Sequence, residues 1–133
     1  MAGDASIVRV NPPTMAKPGG HYSHVVVHAG LAYVSGQLPI APEGRLPAES
    51  SFEVQARRVL ENVRLALEGA GSSLGHVLRC TVYVSDVADW PAFDRIYAEV
   101  FGEHRPARAV VPVGPLHFGY RVEMDAIGAV APT

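Results

Sequence analysis

The sequence predicts an α/β (α+β) two-layer sandwich, a mixed sheet with two helices on one of its faces. Three observations predict it. Pairs of β-branched runs stand at both ends of the chain, two segments of helical periodicity lie between them, and one alternating strand separates those segments. The order is strand, strand, helix, strand, helix, strand, strand. Two helices cover one face of such a sheet. The uncovered face carries valine, tyrosine and a few polar residues, a sticky surface in a monomer, and so it predicts self-association.

Each element has its own signals. Residues 11–20, N-P-P-T-M-A-K-P-G-G, read as an irregular leading loop. H-V-V-V-H and L-A-Y-V-S flank Ala29 and Gly30 and predict a hairpin. A-P-E-G-R-L-P-A-E, residues 41–49, reads as a surface loop. Ser50 with Glu53 predicts a capping box, after which Phe52, Ala56, Val59, Leu60, Val63, Ala66 and Leu67 keep the helical period until Gly71 ends it. In V-L-R-C-T-V-Y-V, residues 77–84, alternation puts Leu78, Cys80, Val82 and Val84 on the core face. Asp89 and Pro91 open a second helix whose apolar stripe is Phe93, Ile96, Tyr97, Val100 and Phe101, and Gly102 stops it.

Residues 105–128 read as two strands joined by a short turn. Centring the tip between Leu116 and His117 places Arg108 directly opposite Asp125. Such a pair is either a structural ion pair or a small polar site. In the second case the guanidinium forks onto a carboxylate, and the acid handles a proton or a water.

Composition narrows the function. A length of 133 residues suits one domain, 1–133, and a charged fraction of 18% suits an ordinary globular chain. The net charge of −2 argues against a nucleic-acid partner, which needs a basic patch. A lone cysteine, Cys80, allows no internal disulfide and makes the cytoplasm the default compartment; it reads as buried filler. M-A-G-D-A-S at the start has no leader pattern, and no apolar run reaches the roughly 20 residues of a membrane span. His21, His24 and His28 fall on a strand without converging, so no metal is expected. Ser35 lacks the frame of a hydrolase nucleophile.

Longer motifs add to this. They are S-G-Q-L-P at 35–39, Q-A-R-R-V-L-E-N-V at 55–63, G-S-S-L-G-H-V-L-R-C-T-V-Y-V at 71–84, F-D-R-I-Y-A-E-V-F-G at 93–102, R-P-A-R at 105–108 and V-E-M-D-A-I at 122–127. In this order and spacing the chain resembles the RidA (YjgF-type) reactive-intermediate deaminase family over essentially its whole length. The resemblance implies a chorismate-mutase-like subunit in a homotrimer with clefts between neighbours. It implies hydrolysis of 2-imino and 2-enamino acids to 2-keto acids and ammonia, without metal or organic cofactor. It implies that Arg108 grips the substrate carboxylate, that Asp125 aims the water, and that Gly36 lines the cleft through its backbone. Tyr22 of G-H-Y-S would close over the ligand, and the Val110 amide would touch the carboxylate.

The chain also departs from the family. Asp125 stands where glutamate is usual, shorter by about 1.5 Å. Val110 replaces a common cysteine, Asp94 an asparagine, and His21 a proline. These departures leave two other readings open. One is a binding or regulatory module that keeps Arg108 without efficient turnover. The other is a deaminase for a larger, aminomuconate-like enamine, with His21, Trp90 and Phe118 lining a wider pocket and His117 near the cleft mouth.

Overall fold

Residues 6–131 are described by a computed structural model; residues 1–5, on which the reading of the N-terminus rests, and residues 132–133 lie outside the described residues. In chain order the strands and helices are β1 Val8–Val10, β2 Val25–His28, β3 Leu31–Gln37, β4 Ile40–Ala41, β5 Gly44–Arg45, α1 Phe52–Gly69, β6 Val77–Val84, α2 Trp90–Phe101, β7 Ala107–Pro112 and β8 Val122–Ala129. Six strands make one sheet in the order β1-β2-β3-β8-β6-β7, and β4 with β5 forms a separate two-stranded ribbon. Only β6 and β7 run parallel; every other neighbouring pair is antiparallel.

The mixed two-layer sandwich is as the patterns predict. Val59, Leu60, Val63 and Leu67 of α1 and Phe93 and Ile96 of α2 are buried in one core with Val25, Val34, Val82, Val84, Val122 and Met124 of the sheet. Each such side chain contributes about 1.5–3 kcal/mol by leaving water. The opposite face has no helix over it and leaves Tyr33 42% exposed. Among the described residues no helix is long and apolar enough to cross a membrane.

Four expectations are corrected. The last two strands are not a hairpin. β7 lies parallel to β6 with Arg108 opposite Cys80, while β8 lies antiparallel on the other side of β6 with Asp125 opposite Thr81. The chain leaves β6 through α2 and returns to its edge as a parallel neighbour, the usual role of a crossover helix. Residues 113–121 then carry it over the end of β6, too long a segment for a tight hairpin. Second, the register of β6 slips between Val77 and Arg79, so Val77 is buried and Leu78 is 50% exposed. Third, Ser51 rather than Ser50 caps α1, its Oγ accepting the Val54 N–H at 3.2 Å. Fourth, β1 precedes the leading loop, and residues 41–49 begin within the β4–β5 ribbon.

Candidate functional site

One pocket is organised by Gly36. It sits in β3 where the pairing with β8 shifts between Val34 and Gln37, a bulge that re-aims the strand. A methyl group there would fall on the Glu123 carboxylate, so the close approach of that acid to the backbone requires glycine. Burial pushes the Glu123 carboxyl above the ordinary carboxylate range; nearby His117 opposes the shift and Asp125 adds to it. The cavity beside Gly36 has a volume of about 410 Å3, and its walls include Lys17, Tyr22, Arg45, His117 and Phe118.

The leading loop forms one wall because it is tied to β3. The His24 Nε2–H donates to the Ala16 carbonyl at 2.7 Å, and Gln37 Nε2 donates to His24 Nδ1 at 3.2 Å. The His24 amide donates to Asn11 Oδ1, and Ser35 Oγ donates to the Ser23 carbonyl. These bonds hold Tyr22 over the opening, half-exposed, its ring edge-on to His24 and its hydroxyl accepting the Gly19 N–H at 3.4 Å.

A second constellation surrounds Arg108. Its guanidinium lies over the rings of Tyr97 and Trp90, 4.5 and 4.6 Å from their centroids, and pairs with Asp94 at 3.1 Å. Because β7 is an edge strand, half of its amides have no strand to meet. The Val113 N–H donates to the Val84 carbonyl, so by alternation the amides of Arg108 and Val110 turn outward. A planar cation and two outward amides are together suited to a carboxylate. Beneath them the Cys80 Sγ lies 3.0 Å from the Tyr97 hydroxyl. Burial pushes the thiol and the phenol up, leaving both neutral packing groups.

These two constellations do not meet within one chain. Arg108 is registered with Cys80, whose side chain faces the helices, and it stacks on α2. Asp125 is registered with Thr81 and faces the uncovered side. Its Oδ2 accepts the Tyr83 hydroxyl at 3.0 Å and its Oδ1 the Thr81 N–H at 3.3 Å. Arg108 and Asp125 therefore project from opposite faces of the sheet, and the expected cross-strand pair does not form. Of the expected site residues, Tyr22 and Gly36 share one pocket, Arg108 and Val110 share the edge of β7, and Asp125 stands two residues from Glu123 on β8. Trp90 belongs to the arginine side, His117 and Phe118 to the glycine side, and His21 is exposed.

Glu123 and Arg45 are the participants that sequence reasoning missed. V-E-M-D already puts Glu123 and Asp125 on one face of a strand, a signal that admits either acid. The contact with Gly36, which distinguishes them, depends on the bulge in β3. Nothing local in A-P-E-G-R marks Arg45, whose place follows from the β4–β5 ribbon.

Comparison with known proteins agrees with this architecture. The family model for Endoribonuclease L-PSP matches residues 13–130. A RutC family protein of Pyrococcus abyssi is 40% identical over 111 residues, 84% of this chain and 87% of that one. Escherichia coli K12 TdcF, by its name a candidate reactive intermediate deaminase, is 34% identical over 120 residues, 86% of this chain and 92% of its own. The crystal structure of Escherichia coli TdcF with bound serine superposes with a TM-score of 0.87 at 29% identity, covering 93% of this chain and 99% of that one. The crystal structure of the Escherichia coli YjgF gene product gives 0.86 at 30% identity over 92% of this chain and 98% of its own.

Proposed function

The chain belongs to the Endoribonuclease L-PSP family, the YjgF-type (RidA) family its motifs resemble, and from that premise we propose that it hydrolyses 2-imino and 2-enamino acids to 2-keto acids and ammonia. The working unit is a homotrimer in which the Arg108 edge of one copy closes on the Gly36 pocket of the next. The observation that carries this reading is the Glu123 carboxylate, pressed onto the Gly36 backbone with its proton affinity raised by burial. A base for water needs such a carboxyl, shifted toward neutrality and held at a fixed place.

The chemistry follows from these groups. Arg108 and the outward amides of β7 hold the substrate carboxylate. A protonated imine is already electrophilic at carbon. Glu123 takes a proton from water as the water oxygen bonds to that carbon, then returns it to nitrogen. The C–N bond breaks with its electron pair leaving on ammonia, the hydroxyl formed from the water gives its proton to Glu123, and the keto group forms. Asp125, engaged by Tyr83 and Thr81, acts on Glu123 through its charge rather than on the water. The serine bound by TdcF, a small amino acid with a carboxylate, supports the same kind of ligand here. The buried Cys80 suits a reducing cytoplasm.

The test is the decay of 2-iminobutanoate generated in situ, followed with and without the protein. Acceleration is expected, and Arg108→Ala should abolish it. Two charge-assisted hydrogen bonds, roughly 1.5–3 kcal/mol each, are lost in that variant. Arg108→Lys should recover little, because an ammonium cannot fork onto a carboxylate. If 2-keto acids bind the wild type in an Arg108-dependent way without any acceleration, the binding-module reading replaces this one.

A further inference from the structure

We propose that the Gly36 pocket contains an anion subsite built on Arg45, with Lys17 and His117 beside it, that selects imino acids bearing a second carboxylate. This rests on the deaminase reading and names its substrate class.

The central carbon of the Arg45 guanidinium lies over the Phe118 ring, 3.7 Å from its centroid. Stacking occupies the face of a guanidinium and leaves its N–H fork in the plane, the geometry that receives a carboxylate. Among the described residues no carboxylate lies within 4.0 Å of Arg45 or Lys17, as is also true of Arg9, Arg58, Arg79 and Arg105; what sets Arg45 and Lys17 apart is that both line the pocket.

The platform is held in place from several sides. Phe118 adopts φ 61°, ψ 17°, a left-handed conformation that aromatic residues rarely take and that persists only when the surroundings impose it. The ribbon carrying Arg45 is tied down at both ends. Asn62 Nδ2 donates to the Leu38 and Ile40 carbonyls at 3.0 and 2.8 Å, and the Tyr120 hydroxyl donates to the Leu46 carbonyl at 2.6 Å. Arg45 is itself exposed, and its place beside the pocket is set by the ribbon and by Phe118 rather than by burial. The pocket offers about 410 Å3, room for a substrate longer than the smallest imino acids. Its walls carry two permanent cations, Lys17 and Arg45, with His24 and His117, against the Glu123 carboxylate on its glycine.

The experiment compares 2-iminobutanoate with 2-iminoglutarate, each generated in situ by an amino-acid oxidase, on the wild type, Arg45→Ala and Arg45→Lys. Binding of 2-oxobutanoate and 2-oxoglutarate is measured on the same proteins by calorimetry. The wild type should favour the dicarboxylate by at least about tenfold in kcat/KM, the effect of one charge-assisted contact. Arg45→Ala should collapse that ratio toward one, and Arg45→Lys should restore part of it. No preference in the wild type, or an equal loss on both substrates in Arg45→Ala, overturns the subsite. If neither imine is hydrolysed, the deaminase reading fails, and the keto-acid affinities decide the subsite alone. An Arg45-dependent preference for 2-oxoglutarate then sustains it, and equal affinities overturn it.

Discussion

Glu123 and Asp125 are two residues apart on the same face of β8, and the fold gives them different work. Both oxygens of Asp125 are engaged by Tyr83 and Thr81, whereas the carboxylate of Glu123 lies on Gly36. Glu123→Gln should therefore lower turnover by about a hundredfold or more while leaving keto-acid affinity nearly intact, the range a positioned proton acceptor supplies. Asp125→Asn should cost far less in rate and move the pH profile instead. The ionised form of Glu123 is the active one, so kcat/KM falls as pH drops through its raised pKa. Removing the neighbouring negative charge in Asp125→Asn shifts that acid limb to lower pH. Removing the opposing influence of the imidazole in His117→Asn shifts it to higher pH. The stability effect has the reverse dependence. A carboxyl whose folded pKa lies above its ordinary 4.5 favours the folded state below that value and loses the benefit as pH rises through the folded pKa. Glu123→Gln should thus be the more stable protein at neutral pH and lose its advantage in acid, as thermal melts across pH would record.

At the scale of elements, polar side chains fix what the apolar pattern leaves free. Gln55 is fully buried in α1; its Nε2 donates to the Ala48 and Ser50 carbonyls and its Oε1 accepts the Arg121 amide. Gln55→Leu keeps the bulk and strands those groups, so denaturant titration should show a loss of about 3 kcal/mol. Ser51→Ala should cost about 1 kcal/mol through the lost cap, and Ser50→Ala much less. Both helices were legible because 3.6-residue periodicity and end signals are local. The pairing of the last strands was not. R-P-A-R-A-V-V-P and V-E-M-D-A-I each announce a strand, but which strand lies between them is decided by the path of α2, far along the chain. For the same reason Tyr22, Gly36, Arg108 and Val110 could be nominated from motifs, while their division between two faces of a sheet could not. Leu78 was assigned inward because alternation assumes an unbroken strand, and a one-residue slip reverses it.

For the whole molecule, the uncovered sheet face and the divided constellations lead to one expectation. Light scattering at micromolar concentration should give the mass of three chains. Tyr33→Glu, which charges an exposed aromatic on that face, should yield folded protein of lower mass and without turnover. A monomer at every concentration in the wild type would remove the shared cleft. The placement of Arg108 and Glu123 on opposite faces has a genetic corollary as well. A chain lacking Arg108 and a chain lacking Glu123 are each dead alone, but they damage different walls of the cleft. Refolded together in equal amounts, they should recover about one quarter of wild-type activity, because a cleft needs the sound arginine from one neighbour and the sound glutamate from the other. Two recessive lesions carried by separate copies of the same polypeptide would then complement each other, whereas a site complete within each chain would show no rescue at any mixing ratio.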